Sequence, residues 1–361
     1  MKAAVFYGHG VPLTIEDVVI GKPGPREVLI RTSAVGVCHS DLHHVDGMLF
    51  AKTPIVLGHE AAGIVEQVGS EVRTVRPGDH VVTCLSVFCG HCDHCVTGRM
   101  SLSTGSETRR EKNGEPRLSF RSEAIPQFAD LSAFAEQMLV HEHACVAIRR
   151  DMPLDRAALI GCGVTTGTGA VFNTAGVAPG ETVAVIGCGG IGLSAINGAA
   201  LAGAGRIIAI DRLDGKLELA REFGATDVIN SNGGDVAKRV RELTQGGVHH
   251  AFECIGLKDT GELAYEISRR GGSTTIIGVM KPGVKLEIDP SRLLQGRRIQ
   301  GSPMGSNRFP VDIPRLVDFY MAGRLHLDRM ISRRLRLDQI NDAFDELRRG
   351  EIARSVIVFD H

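Results

Sequence analysis

The segment that most restricts the fold is Gly187-Cys188-Gly189-Gly190-Ile191-Gly192. It follows a continuous apolar run, Thr182-Val183-Ala184-Val185-Ile186, of the kind a parallel strand buried on both faces needs. A helix of small residues comes next. A second apolar run, Arg206-Ile207-Ile208-Ala209-Ile210, ends at Asp211, 19 residues beyond the last glycine. Strand, glycine turn, helix, strand and acidic residue in that order form a dinucleotide-binding fingerprint. A glycine-rich turn in a plain helix–sheet contact is the simpler alternative, and the flanking order argues against it. Gly187 permits the tight turn, Gly189 lets the backbone approach a pyrophosphate, and Gly192 lets helix and strand pack closely. Gly190 and Ile191 open the helix, whose N-terminus faces the phosphates. The Asp211 carboxylate accepts hydrogen bonds from both ribose hydroxyls and repels a 2′-phosphate, which favours NAD over NADP. Arg212 pulls the other way, because an arginine here accommodates that phosphate; otherwise it faces solvent. Lys216, one turn on, reaches the ribose or faces water.

The alternation of strand and helix repeats through Val248–Glu253 and Ser273–Ile277. It implies an α/β domain with a doubly wound parallel sheet over residues 156–295. Residues 1–155 differ. Short Val-rich strands (Val28–Arg31, Gly63–Val68, His80–Val82) alternate with turns such as Pro77-Gly78-Asp79, as in a compact β-barrel. Residues 101–126 are polar and read as a long surface loop. Beyond 295 the pattern gives two amphipathic helices, near 312–322 and 338–348, and a final strand, Ser355–Phe359.

A length of 361 residues suits two domains, and a net charge of -1 provides no field for nucleic acid or anionic membrane. The short Arg-rich stretches read as solvated faces. Thr182–Gly205 is apolar, but seven glycines mark it as a buried strand–turn–helix rather than a span. The first residues show no secretory pattern. Nine cysteines, an odd number, favour reduced thiols, metal ligation and a cytoplasmic setting.

Cys38, His59 and Cys162 lie far apart in sequence. Gathered by one fold, they give two thiolates and one imidazole, the ligand set of a catalytic zinc with an open fourth position. Singly, each is a small buried hydrophobe or a core histidine. A second group, Cys89, Cys92 and Cys95, has the compact C-x-x-C-x-x-C spacing of a metal lobe.

Gly58-His59-Glu60-Ala61-Ala62-Gly63, with Gly69 and Val72, reproduces the pattern G-H-E-x-x-G-x5-G-x2-V. Together with Cys38-His39-Ser40-Asp41, Gly161-Cys162-Gly163-Val164-Thr165-Thr166-Gly167 and the terminal Phe344–Arg348 with Gly350-Glu351, it makes the chain resemble the zinc-dependent medium-chain alcohol dehydrogenases, in their long-loop, liver-type branch. The resemblance implies a GroES-like catalytic domain over 1–155 and 296–361, a Rossmann NAD-binding domain over 156–295, and a homodimer. It implies oxidation of a primary or secondary alcohol, or reduction of the matching aldehyde or ketone. Thiol-dependent formaldehyde oxidation on the same scaffold, with Arg109 or Arg110 as the cation for a carboxylated thiol, stays open, as does a cofactor-binding protein without activity.

By the same resemblance Ser40 takes the alcohol's proton, the cofactor ribose passes it on and His43 delivers it to solvent, with His44 as an adjacent rival. Asp41 holds the His59 imidazole, and Glu60 tunes the metal or forms a buried ion pair. His39 and Arg354 face the cofactor phosphates, Thr166 the nicotinamide, and Leu49, Leu85 and Phe128 the substrate; surface or core roles are the plain alternatives. The family's second zinc uses four cysteines, and here the fourth position is Ser103. A serine hydroxyl is a poor zinc ligand because its proton is hard to remove. His91, His94, Glu107 or water can fill that place, or the lobe stays empty.

Overall fold

The Val- and Ile-rich central strands of the first 150 positions are buried along most of their length, and Gly and Pro turn the chain between them. The computed structural model describes residues 1–110, 114–350 and 353–360. Residues 111–113 of the expected loop and Glu351 of the terminal motif lie outside the described residues. In chain order the early strands are β1 (Lys2–Phe6), β2 (Thr14–Asp17), β3 (Val19–Ile20), β4 (Glu27–Gly36), β5 (Ile55–Val56), β6 (Glu60–Val68), β7 (His80–Thr83), β8 (Leu118–Phe120), β9 (Glu123–Ala124), β10 (Gln137–His141) and β11 (Cys145–Ile148). The six that follow are β12 (Thr182–Ile186), β13 (Arg206–Asp211), β14 (Asp227–Asn230), β15 (Val248–Glu253), β16 (Ser268–Ile276) and β17 (Arg298–Gly301). The chain closes with β18 (Ile331–Leu335) and β19 (Arg354–Val358).

Two compact units result: Met1–Gly163 with Arg308–His361, and Val164–Asn307. The sequence placed the changes at 155 and 295. Helix α1 (His39–Val45) and the short α2 (Asp93–Val96) belong to the first unit, and α3 (Leu154–Leu159) packs on β4 and β6, which carries the first unit on to Gly163. At the other end β17 still pairs with β16, so the second unit runs on to Asn307.

The first unit centres on a sheet in the order β11-β7-β6-β4-β19-β18, with β10 also on β4. The last strand, β19, therefore lies beside β4, antiparallel, and joins the two ends of the chain in one core. Phe134, Leu57, Ile30 and Phe344 fill that core, and the Phe134 and Phe344 rings meet edge to face at 6.1 Å. The 101–126 segment is more than a surface loop. Its Leu118 and Phe120 alternate with Ser119 and enter the core, and β8 pairs with β3 and β9. That period of two is a strand signal hidden in polar surroundings.

The second unit has one parallel sheet, β14-β13-β12-β15-β16-β17. This order reverses between β12 and β15, the switch point of a Rossmann sheet. Around it lie α4 (Thr165–Gly169), α5 (Gly190–Leu201), α6 (Asp214–Glu222), α7 (Val236–Thr244) and α8 (Lys258–Ile267). Back in the first unit, α9 (Phe309–Met321) and α10 (Ile340–Arg349) match the two expected amphipathic helices. No described helix is long and apolar enough to cross a membrane.

Glu27, at the start of β4, fastens the 101–126 segment. Arg117 donates to it at 2.7 Å and Arg110 through both Nε and Nη2. Burial alone would raise the Glu27 carboxyl, but the bonds from Arg110, the Gly24 N–H and Arg117 outweigh it and hold it below the usual carboxylate range. A carboxylate depressed in the folded state stabilises above its unfolded pKa, about 4.3, and loses that contribution as pH falls through the folded value. Glu27→Gln is thus expected to lower the denaturant-unfolding free energy at pH 7, with the gap to the parent narrowing below about pH 4.3. A gap that stays constant on acidification would assign the effect to packing instead.

Candidate metal centre and dinucleotide cradle

Cys38 stands at the N-cap of α1 in extended conformation, so its side chain leaves the helix start freely. Three residues on, Asp41 is fully buried and turns back. Its carboxylate accepts from the Cys38 N–H at 3.3 Å, the Gly58 N–H at 3.1 Å and His59 Nδ1 at 3.1 Å. One acidic group thereby aligns two ligand segments. With Nδ1–H committed to Asp41, His59 Nε2 presents its lone pair, and it is buried with no hydrogen-bond partner among the described residues. Cys162 arrives on a π-helical turn, Ile160–Val164, a local widening common at functional sites. The ligand atoms of Cys38, His59 and Cys162 all lie within 4.8 Å of one another, and all three residues are buried.

This arrangement fits zinc. An orphaned imidazole nitrogen and two thiols converge, and a carboxylate holds the imidazole in the required tautomer. The two thiols share a hydrogen bond, which holds Cys38 well below the ordinary thiol range and Cys162 well above it. Burial works against the His59 imidazolium, but the Asp41 and Cys38 charges outweigh it and hold the imidazole pKa well up. A metal therefore competes with a proton for Nε2, so binding weakens in acid.

Behind the ligands lies a buried ion pair. Arg354 Nε is 3.6 Å from Glu60 Oε1, and the Gly163 N–H donates to Glu60 Oε2. Burial pushes the Glu60 carboxyl up to about 7, against the pull of Arg354. Any side chain at 163 would meet the guanidinium, since a Cβ there comes 2.6 Å from Arg354 Nη2. Nothing in the sequence signals that need beyond the glycine itself. Arg354 is only 2% exposed and also faces the Val37 carbonyl, so it stands behind the metal centre. The resemblance implied cofactor phosphates as its partners; the partners described are Glu60 and the Val37 carbonyl.

Ser40 and His43 share one face of α1 and are both half-buried, while His39 is exposed, its ring 6.4 Å from that of His43. Burial lowers the His43 imidazole, offset in part by Cys38 and Asp46. His44 points elsewhere: its ring meets Phe128 edge-on at 5.0 Å, and Phe128 in turn meets the His59 ring at 5.8 Å. Leu49 and Leu85 are half-buried, and Leu85 packs on the first-unit core with Phe128. Of these apolar candidates only Phe128 has a ring contact with a ligand. Its turn is strained, with positive φ at Ala129, Asp130 and Ser132. Arg109 clasps it through a two-pronged bond to Asp130 at 3.0–3.2 Å. The sequence could not reveal this clasp, because 21 residues separate the partners.

The compact cysteine lobe is also assembled: Cys89, Cys92 and Cys95 sulfurs lie within 4.8 Å of one another. Backbone N–H groups of Thr104 and Cys95 hold the Cys92 thiol down at about 5. His91 and Glu107 bond to each other at 2.9 Å beside Cys89. His94 joins neither group.

In the second unit Gly187 has φ +94, and a Cβ on Gly192 would lie 1.7 Å from the Gly187 carbonyl oxygen. A Cβ on Gly189 would meet nothing within 4 Å, which leaves open room at the start of α5. Gly190 and Ile191 form the first turn of α5. Asp211 closes β13. It accepts from the Cys188 N–H at 2.8 Å and from the Arg212 and Leu213 N–H groups. Arg212 is exposed and Lys216 half-buried. Thr166 is buried and donates to Met304 Sδ at 3.5 Å. Glu253, missed by the sequence reading, ends β15 and accepts from the Ile255 and Gly256 N–H groups and the Thr260 hydroxyl, each at 2.8 Å. It shapes the loop at the switch point.

A thiolate–imidazole metal centre in a β-rich unit and a glycine cradle on a parallel sheet define a metal-dependent dinucleotide dehydrogenase fold. Residues 24–150 match the alcohol dehydrogenase GroES-like domain and residues 190–320 the zinc-binding dehydrogenase domain. An S-(hydroxymethyl)glutathione dehydrogenase of Photobacterium damsela subsp. piscicida is 40% identical, with 99% of each chain covered. Among solved structures, an alcohol dehydrogenase zinc-binding domain protein from Burkholderia ambifaria matches at a TM-score of 0.95 and 36% identity, over 100% of this chain and 99% of the other. The benzyl alcohol dehydrogenase from Acinetobacter calcoaceticus matches at 0.94 and 32%, over 99% of both. The chain belongs to the zinc-dependent medium-chain alcohol dehydrogenase family and is an oxidoreductase.

Asp41→Asn keeps the shape but leaves the His59 tautomer less firmly held. Its expected effect is a 10–100-fold loss of zinc affinity at the Cys38 site, measured by competition with a chromogenic chelator. Unchanged affinity would remove Asp41 from the metal centre. Arg109→Ala frees the Phe128 turn. The expected result is faster protease cleavage between 127 and 132 with unchanged zinc affinity at the Cys38 site.

Proposed function

We propose that the protein oxidises a hydroxymethyl group, HO–CH2–X, with NAD as hydride acceptor, and that X is the sulfur of a small thiol. An S-hydroxymethyl thiol adduct is itself a primary alcohol, so one site chemistry serves it and simpler alcohols. The observation that carries the reading is the convergence of the orphaned His59 Nε2 with Cys38 and Cys162. The relative named for S-(hydroxymethyl)glutathione, matched end to end, supports the thiol adduct.

Cys38, His59 and Cys162 would hold the zinc, which supplies Lewis acidity that lowers the pKa of an alcohol. The nicotinamide cofactor supplies the hydride acceptor. The rest falls to the chain. Asp41 keeps Nε2 pointed at the centre, while Glu60 and Arg354 set the charge behind the thiolates. Ser40 takes the hydroxyl proton, and His43, neutral at pH 7 because burial lowers it, provides the exit. In the second unit the Gly187–Gly192 turn cradles the pyrophosphate and Asp211 meets the ribose, which supports NAD. Arg212 is exposed and is the residue that would accommodate the 2′-phosphate if NADP were used instead. Nine free thiols suit a reducing compartment such as the cytoplasm, and the family resemblance supports a homodimer.

A second reading, an apolar or aromatic alcohol, has its own support. Arg109 and Arg110 are bound to Asp130 and Glu27, so neither offers a free charge to a carboxylated thiol, and Phe128 places an apolar ring against His59. NAD reduction with formaldehyde alone, formaldehyde plus glutathione, and benzyl alcohol separates the two. The thiol reading expects glutathione to raise kcat/KM with formaldehyde by at least about tenfold, a barrier change of roughly 1.4 kcal/mol. Turnover of benzyl alcohol without any glutathione effect favours the second reading, and no turnover of any of the three defeats both.

A further inference from the structure

The compact lobe fits zinc by its own dimensions. The Cys89 and Cys95 sulfurs are 3.8 Å apart and those of Cys92 and Cys95 3.6 Å. Two thiolates on one tetrahedral zinc, each bonded at 2.3 Å, stand about 3.8 Å apart. Two of the three sulfur pairs have that spacing, and the third lies within 4.8 Å. The local chain explains it. Gly90 turns with φ +93, and Cys92 caps the short α2 while its N–H donates to Cys89 Sγ at 3.4 Å.

We propose that this lobe is a three-thiolate zinc site whose fourth corner belongs to Ser103, and that its metal is exchangeable. Ser103 Oγ lies 3.9 Å from Cys92 Sγ and accepts the Cys89 N–H at 3.0 Å. It thus stands against the Cys92 sulfur and the Cys89 backbone, beside a group of three sulfurs that all lie within 4.8 Å of one another. Glu107 and His91 pair with each other, are well exposed, and approach Cys89 alone. A hydroxyl keeps its proton where a fourth cysteine would lose one. Three thiolates with a neutral oxygen leave a charge of -1 on the zinc group instead of -2, and a neutral oxygen yields its place to water or an incoming thiolate. Loading releases the three thiol protons to solvent. The lobe therefore takes up and gives up zinc without the catalytic ligands changing.

The test uses the whole protein, reduced and equilibrated with zinc, then timed for zinc release to a chromogenic chelator, with metal content measured alongside. About two zinc per subunit and two release phases are expected. Ser103→Cys slows one phase about 10-fold or more, and Ser103→Ala speeds the same phase. In the cobalt-loaded protein, Ser103→Cys raises the lobe's thiolate-to-metal charge-transfer intensity by about a third, from three sulfurs to four, while Glu107→Gln leaves it and the release rates unchanged. One zinc per subunit after loading overturns the proposal. So does a release profile indifferent to both Ser103 variants. Metal lost through Glu107→Gln but kept in Ser103→Ala would pass the corner to Glu107. None of these readouts depends on turnover, so they stand apart from the substrate reading.

Discussion

A single buried carboxylate organises the metal centre. Asp41 takes hydrogen bonds from the segments that carry Cys38 and His59, one at the start of a helix and one just before a strand. A buried acid without such partners would be costly, and here its partners are the backbone and ring that the metal needs in place. The stability of the site and the direction of its ligands therefore come from the same bonds.

The second unit repeats the device. Asp211 joins the end of β13 to the glycine turn after β12 through the Cys188 N–H, and it also holds the next two N–H groups of its own chain. In both units an acid at an element's end pins a neighbouring turn, and the small residues around it let the backbone come close. The glycines at 163 and 192 are as necessary to this arrangement as the charged groups, because any Cβ there would strike a guanidinium or a carbonyl.

Much of this was legible in the sequence because it is local. The β12 strand, the glycine turn and Asp211 lie within about one βαβ unit and announce themselves by pattern. The ligand triad was legible only through three separate motifs read together. What stayed hidden is long-range. The alternating Leu118 and Phe120 lay among charges, and the Arg109–Asp130 clasp has no periodic signature. The resemblance pairs Arg354 with the cofactor phosphates, with a surface role as the plain alternative, and neither reading announces its ion pair with Glu60. The arginine's burial against Glu60 follows from β19 lying next to β4, a pairing across almost the whole chain.

That pairing has a consequence for how the molecule is made. The metal-bearing unit is interrupted by the entire dinucleotide unit, and its sheet waits for the last strand. Glu60 receives its counter-charge from β19, which follows the second unit in the chain. Removing β19 would take away the arginine behind the thiolates as well as a strand of the sheet. The surroundings of the thiolates are thus drawn from segments on both sides of the second unit, so a fragment lacking β19 also lacks the arginine beside Glu60.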